Sequence, residues 1–200
     1  MKGISSALLA SALLIGYTPI TLASDDTDTQ NRINAAKAAT NDFVKRLGGT
    51  LKSEMKKNGP ESAITVCRDL APKIAGDISL KNGWQVTRVS SKPRNTMLGL
   101  PDSWEQTVLR DFEKRRANGE KLKTMYFAEV VKEPEGESLR YMKAIGTAPV
   151  CLSCHGNSEQ ISETVQAKIN SLYPHDKATG YKVGELRGAV SIKQPLPGSN

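Results

Sequence analysis

The segment MYFAEVVKEPEGESLRYMKAIGTAPVCLSCH, residues 125–155, decides the fold class of this chain. Residues 125–131 and the alternating residues 138–145 predict two β-strands, and residues 132–137 predict the loop of a hairpin between them. A motif of two cysteines and a histidine, residues 151–155, follows the second strand directly. The segment therefore predicts a hairpin that presents a reactive motif at its end.

This motif, Cys-Leu-Ser-Cys-His, has the C-x-x-C-H pattern of covalent haem attachment. In that chemistry the thiols of Cys151 and Cys154 form thioethers with the two vinyl groups of one porphyrin, because two intervening residues let both sulfurs reach the same edge. His155 then lies beneath the iron as its proximal ligand. The motif predicts a single covalently attached haem c as cofactor.

Two other uses of a C-x-x-C pair remain open. A thioredoxin-like redox pair usually lies early in a βαβ unit, whereas this pair is near the C-terminal end of the chain. A zinc ion needs four ligands, and outside the motif only Cys67 and His175 offer a thiol or an imidazole. Haem attachment is the interpretation that the sequence favours.

Residues 1–23 predict a secretory signal peptide. A positive start at Lys2 is followed by an apolar run centred on residues 8–15 and by a small-x-small cleavage pattern at residues 21–23. A retained membrane anchor is the alternative, but the run is short and is broken by glycine and proline. Export agrees with the motif, because covalent haem attachment takes place outside the bacterial inner membrane. We expect cleavage after Ala23, a periplasmic location and no membrane span in the mature chain.

The charge pattern limits the partners. The formal net charge is +7, and loss of Lys2 with the signal peptide would lower it by one. The basic residues are scattered among acidic ones, without a cluster that includes aromatic side chains, which argues against nucleic-acid binding. A mildly basic surface suits an acidic redox partner protein. Residues 24–200 show no internal repeat and are expected to form one haem-binding domain.

Two helices are predicted ahead of the strands. Apolar residues recur at helical spacing over residues 30–58, where the pair Gly48-Gly49 is expected to kink the helix. Gly59 is expected to follow the end of this helix and Pro60 to begin the second, which runs to Leu80.

The remaining elements complete an α+β order. They are a strand over 84–90, an irregular stretch over 91–101, a helix capped at 102 or 103 and closed by Asn118-Gly119, a helix over 157–172 and a strand over 186–192. Two leading helices followed by mostly hairpin-connected strands predict an antiparallel sheet. This order argues against a four-helix-bundle cytochrome, whose motif also lies late, and against the small all-helical cytochromes, whose motif comes early.

Cys67 is the cysteine that the motif leaves over. A free thiol in an exported protein is open to oxidation unless burial or metal ligation protects it. Its spacing places it on the apolar face of the second helix, just before Pro72, which leaves the carbonyl of Arg68 without its usual donor. From the residues alone, a buried and inert cysteine is the preferred interpretation.

Three groups of residues resemble a known family. They are GPESAITVC at 59–67 with APKIA at 71–75; RVS at 88–90 with KPRN at 92–95 and WE at 104–105; and CLSCHG at 151–156 with YP at 173–174, GY at 180–181 and LRGA at 186–189. The chain resembles the exported c-type haem domains of PAS-like fold, long known only as a domain of unknown function. Some of these occur alone and others are sensor domains. The resemblance implies a PAS-like antiparallel sheet preceded by two N-terminal helices.

The resemblance also implies an iron held by histidine and by a cysteine thiolate, which match His155 and Cys67. A thiolate stabilises ferric iron and lowers the reduction potential. Arg88 and Arg94 are candidate contacts of the haem propionates, since guanidinium pairs well with carboxylate, and surface salt bridges are the alternative for both. Rival distal ligands are His175 and the methionines at 55, 97, 125 and 142.

Two classes of function remain. An iron with two protein ligands suits electron transfer or redox sensing, and the chain is then not an enzyme. The alternative is a haem enzyme or a receptor for NO, CO or O2, which needs a distal ligand that leaves. Cys67 could leave on reduction, because ferrous iron holds thiolate less well. Peroxidase chemistry has little support, since His175 is the only histidine besides His155.

Overall fold

The computed structural model describes residues 23–197. The predicted signal peptide therefore lies outside the described residues, apart from Ala23 at its end. Within residues 23–197, none of the helices combines the length and the apolarity that crossing a bilayer requires.

The described chain contains helices and strands in a mixed order. In sequence they are α1 (Ala23–Thr65), a π-helical turn (Val66–Leu70), α2 (Ala71–Asn82), β1 (Gln85–Val89), α3 (Thr96–Gly99), α4 (Ser103–Ala117), β2 (Tyr126–Glu133), β3 (Gly136–Gly146), a 3-10 turn (Pro149–Cys151), α5 (Leu152–His155), α6 (Glu163–Leu172) and β4 (Leu186–Pro195). The four strands form one antiparallel sheet in the order β1-β4-β3-β2. The predicted α+β class, with N-terminal helices and a PAS-like sheet, is confirmed.

Helices cover both faces of the sheet. On one face α1 and α2 pack against Tyr141, Val190 and Ile192 of the central strands. On the other face α4 packs, through Val108, Leu109 and Phe112, against Val89, Met142 and Ala189. The fold is thus three layers, with two separate apolar clusters on either side of the sheet.

The second strand of the hairpin is buried on both sides. Its alternating pattern predicted one covered face, yet Leu139, Arg140, Tyr141 and Met142 are all at most 6% exposed. The arginine is tolerated because its guanidinium lies near the carboxylates of Asp102, Glu105 and Glu133.

The hairpin loop is shorter than predicted. Glu133 still pairs with Gly136, so only two residues, rather than residues 132–137, connect β2 to β3. The strand continues through polar residues because the Glu133 carboxylate is held by Arg140 of β3 at 3.3 Å and by Lys193 of β4 at 2.5 Å.

The effects predicted for glycine and proline in the N-terminal helices are only partly observed. Two helical parts meet within α1 at Gly59, whose φ of 80° breaks the helix, and Pro60 begins the next turn as predicted. The expected kink at residues 48–49 is wrong, since the helix runs through both glycines. The first part also begins earlier than residue 30, at Ala23.

The remaining predicted elements differ mainly at their ends. Asp102 caps α4 through a capping box with Glu105, as its position suggested. The irregular stretch before it contains the short helix α3, capped by Asn95. Helix α6 begins after Ser162 rather than at Asn157, because the Ser162 hydroxyl accepts the Val165 N–H as the cap.

Cys67 lies in a π-helical turn. Pro72 has no N–H to offer the carbonyl of Arg68, and the helix widens just before it, so that Ala71 N–H donates to the carbonyl of Val66 five residues back. Such widened turns are frequent at functional sites. The deviation from a regular helix thus occurs at Cys67, the cysteine outside the C-x-x-C-H motif.

Tyr141 carries a hydroxyl for which residues 23–197 provide no hydrogen-bond partner, although its side chain is 0% exposed. Burial raises the pKa of this phenol well above its usual value. We expect Tyr141→Phe to raise the free energy of unfolding by about 1 kcal/mol, because it removes an unsatisfied buried polar group. Urea denaturation measures this, with Tyr126→Phe as control, since that ring stacks on Tyr141 at 5.7 Å but is 38% exposed. A destabilised Tyr141→Phe would contradict the prediction.

Candidate functional site

The cysteine and histidine motif forms a compact turn after β3. Pro149 opens the 3-10 turn, Cys151 closes it by donating its N–H to Ala148 O at 2.9 Å, and α5 carries Cys154 and His155. Both thiols are half-buried and free, as is that of Cys67. The turn presents two thiols and an imidazole from five consecutive residues.

His155 is oriented by a backbone carbonyl. Its Nδ1 lies 2.7 Å from Ala178 O, and since a carbonyl only accepts, Nδ1 carries the proton and Nε2 keeps its lone pair. Burial lowers the pKa of His155 well below its usual value, and the charges of Arg187 and Arg94 lower it further. The ring is therefore neutral at neutral pH, which is the form that binds a metal.

The Ala178 carbonyl is itself held in place. Arg94 donates through Nη2 to the carbonyl of Cys154, to Asp176 Oδ2 at 3.1 Å and to Ala178 O at 3.4 Å. The side chains of Arg94 and Asp176 are only 11% and 7% exposed. Arg94 thus ties the motif to the loop that orients His155.

Cys67 lies on the same side of the molecule as the motif. One turn before it, Ile64 packs with Val165 and Ile169 of α6, and Cys154 and Tyr173 contact the same apolar cluster. Burial raises the pKa of Cys154, and the nearby Cys67 thiol raises it further. The π-helical turn and α5 therefore bring all three cysteines into one neighbourhood.

Arg88 and Arg187 add two further positive charges near His155. Arg88 is exposed on β1, and its charge lowers the pKa of His155. Arg187, on β4, is half-buried; it donates to Ser90 Oγ at 3.1 Å and lies 5.3 Å above the ring of Tyr181. Burial and the charges of Arg88 and Arg94 lower the pKa of Arg187 to about 10.

Several of these residues were not among the site predictions. Arg187 and Tyr181 lie within the groups that carry the family resemblance, but nothing local in the sequence indicates that both approach His155. Tyr181 meets the His155 ring edge-on at 6.3 Å, and its N–H donates to His155 O. Ala178 acts through its backbone carbonyl, so the identity of its side chain gives no sign of this role.

The propionate contacts predicted for Arg88 and Arg94 stay predictions.

The rival distal ligands are placed apart from one another. Met125 and Met142 are fully buried in the apolar cluster under α4, and Met97 is 89% exposed on α3. His175 is exposed and Met55 half-buried. Within residues 23–197, no three or more His, Cys, Asp or Glu side chains form a set that could hold a metal ion on their own, so the zinc alternative has no ligand set there.

The crystal structure of the cyanobacterial heme-protein Tll0287 matches with a TM-score of 0.60 and 26% sequence identity, over 85% of this chain and 96% of that chain. A search of curated proteins finds no significant match. The sequence model of the Tll0287-like family matches residues 21–195. The chain therefore belongs to the Tll0287-like family.

Proposed function

We propose that this chain is an exported c-type haem protein of the periplasm that transfers electrons or senses redox state. One haem c would be attached covalently to Cys151 and Cys154, and His155 and Cys67 would hold its iron. The observation that carries the proposal is that Ile64, one turn before Cys67, packs in the same apolar cluster that Cys154 of the motif contacts. The similarity to a protein described as a heme-protein agrees with it.

The residues present fit such a group. Two thiols lie three residues apart in a turn, and the adjacent imidazole keeps Nε2 available because Nδ1–H is bonded to Ala178 O. The Nε atoms of Arg94 and Arg187 are buried and find no hydrogen-bond partner among residues 23–197. Buried donors without acceptors suit the carboxylates that a porphyrin carries.

Haem supplies reversible one-electron chemistry at its iron. The chain provides the environment for it: Ala178 fixes the orientation of the His155 ring, and Arg94 fixes the loop that holds Ala178. The apolar side chains of Ile64, Val165 and Ile169 limit access of water beside the motif. The Cys67 sulfur, as a thiolate, favours the ferric state and lowers the potential.

Two protein ligands favour electron transfer or sensing over catalysis. With His155 and Cys67 on the iron, no position is open for a substrate. The partner is a redox protein, and an acidic one suits the positive net charge of this chain. The PAS-like sheet agrees with the sensory role that some members of the resembled family have.

Covalent attachment is tested by extraction. Acid-acetone treatment of the exported protein is expected to leave the haem on the chain, and Cys151→Ala with Cys154→Ala is expected to abolish retention, because the thioether sulfurs are gone. Cys67→Ala is the matched control: it removes the third cysteine and should leave retention intact. Extraction of all the colour from the wild-type protein would overturn the proposal. Sequencing of the mature N-terminus should begin at Ser24.

A further inference from the structure

Arg187 is a half-buried cation for which residues 23–197 provide no ion-pair partner of its own. Within the described chain, its Nη1 donates only to neutral acceptors, Ser90 Oγ at 3.1 Å and Lys92 O at 3.5 Å. Its Nε is buried, and residues 23–197 provide no hydrogen-bond partner for it. Burying a charge away from water is unfavourable unless an opposite charge lies beside it.

The charged groups around Arg187 leave its positive charge poorly compensated. Arg88 and Arg94 both disfavour its cationic form, while Asp176 and Tyr181 favour it. Asp176, however, is already paired with Arg94 at 3.1 Å. Among the described residues, Asp176 is thus the carboxylate near Arg187, and Arg94 already holds it.

The position of Arg187 links it to the motif. Its guanidinium lies 5.3 Å from the centre of the Tyr181 ring, and the His155 ring meets the same tyrosine edge-on at 6.3 Å. The cation and the imidazole of His155 thus lie near the same tyrosine ring. Arg88, by contrast, is exposed, and the Nη2 of Arg94 is occupied by Cys154 O, Asp176 and Ala178 O.

We infer that Arg187 is a positioning residue that binds a haem propionate, supplying through its Nε–H and planar guanidinium the ion pair that the described chain does not provide. The inference rests on the proposed function. A guanidinium holds a carboxylate through two parallel N–H donors, which fixes the carboxylate in the plane of the fork. The cation also disfavours the ferric state and so opposes the effect of the thiolate on the potential.

The test uses the haem-loaded protein. In Arg187→Gln, the propionate bending band in the resonance Raman spectrum is expected to shift and the midpoint potential to fall, because a hydrogen-bonded positive charge is lost. Arg110→Gln is the matched control: Arg110 is exposed on α4 and donates to Thr107 Oγ1 at 2.9 Å, and its variant should leave both quantities unchanged. A purely structural role for Arg187 would not move the propionate band.

Arg187→Lys separates charge from geometry and keeps the test valid if the glutamine variant does not fold. Lysine retains the positive charge but lacks the Nε–H and the planar fork. The band should shift while the potential stays near that of the wild-type protein. An unmoved band in a folded, haem-loaded variant overturns the inference and leaves the proposed function standing. A wild-type protein without covalent haem overturns both.

Discussion

Replacing Cys67 by serine is expected to remove the thiolate-type low-spin signal from the ferric electron paramagnetic resonance spectrum. The midpoint potential should rise, on the order of 100 mV or more, because axial ligands set haem potentials over a range of about 0.8 V. The reduced variant should also bind carbon monoxide rapidly, whereas the reduced wild-type protein should not.

Thr65→Ser is the matched control for this experiment. Thr65 is half-buried, lies two residues before Cys67 at the start of the π-helical turn, and carries no sulfur. Its variant should keep the wild-type spectrum. An unchanged spectrum in Cys67→Ser would remove this cysteine from the iron. Rapid, tight carbon monoxide binding by the wild-type protein would instead favour a gas receptor or enzyme whose ligand leaves on reduction.

Gly188→Ala is expected to cost about 3 kcal/mol of unfolding free energy. Gly188 has a φ of 149°, and a Cβ there would lie 2.3 Å from Val89 O and 3.1 Å from Ser90 Cβ. Both neighbours belong to or follow β1, the strand that pairs with β4, so the clash can be relieved only by moving backbone. Urea denaturation provides the measurement.

The matched control has the opposite expected sign. At Gly48, in α1, a Cβ would meet nothing within 4 Å. Gly48→Ala should therefore stabilise the protein by about 1 kcal/mol, since alanine is the better helix former. A Gly188→Ala variant as stable as the wild-type protein would show that β1 and β4 do not approach so closely there.

The fold could be predicted wherever local chemistry decides the backbone. Gly59 and Pro60 end and begin helical turns because of their own φ preferences and the missing proline N–H. The smooth passage through residues 48–49 was not predictable, because the helix is held there by its packing on the sheet through Phe43 and Leu47. The double burial of Arg140 depends on α4, a partner distant in sequence.

In the candidate site, too, the residues of a local motif could be predicted, whereas contacts between distant segments could not. The thiols of Cys151 and Cys154 and the imidazole of His155 follow from one short motif. The hydrogen bond from His155 to Ala178 and the approach of Arg187 join segments that only the folded sheet and its loops bring together. Pro72 pointed to a helical defect near Cys67, but not to its form as a π-helical turn.

Strand β4 is the fourth strand in sequence among the described residues, yet it lies between β1 and β3. During N-to-C synthesis the four-stranded sheet cannot close until β4 has emerged, because β4 is the strand of the described sheet with which β1 pairs. Cys151 and Cys154 precede β4 in sequence, so both thiols emerge on a chain whose sheet is still open. The order of synthesis thus leaves both thiols accessible before the native layers assemble around them.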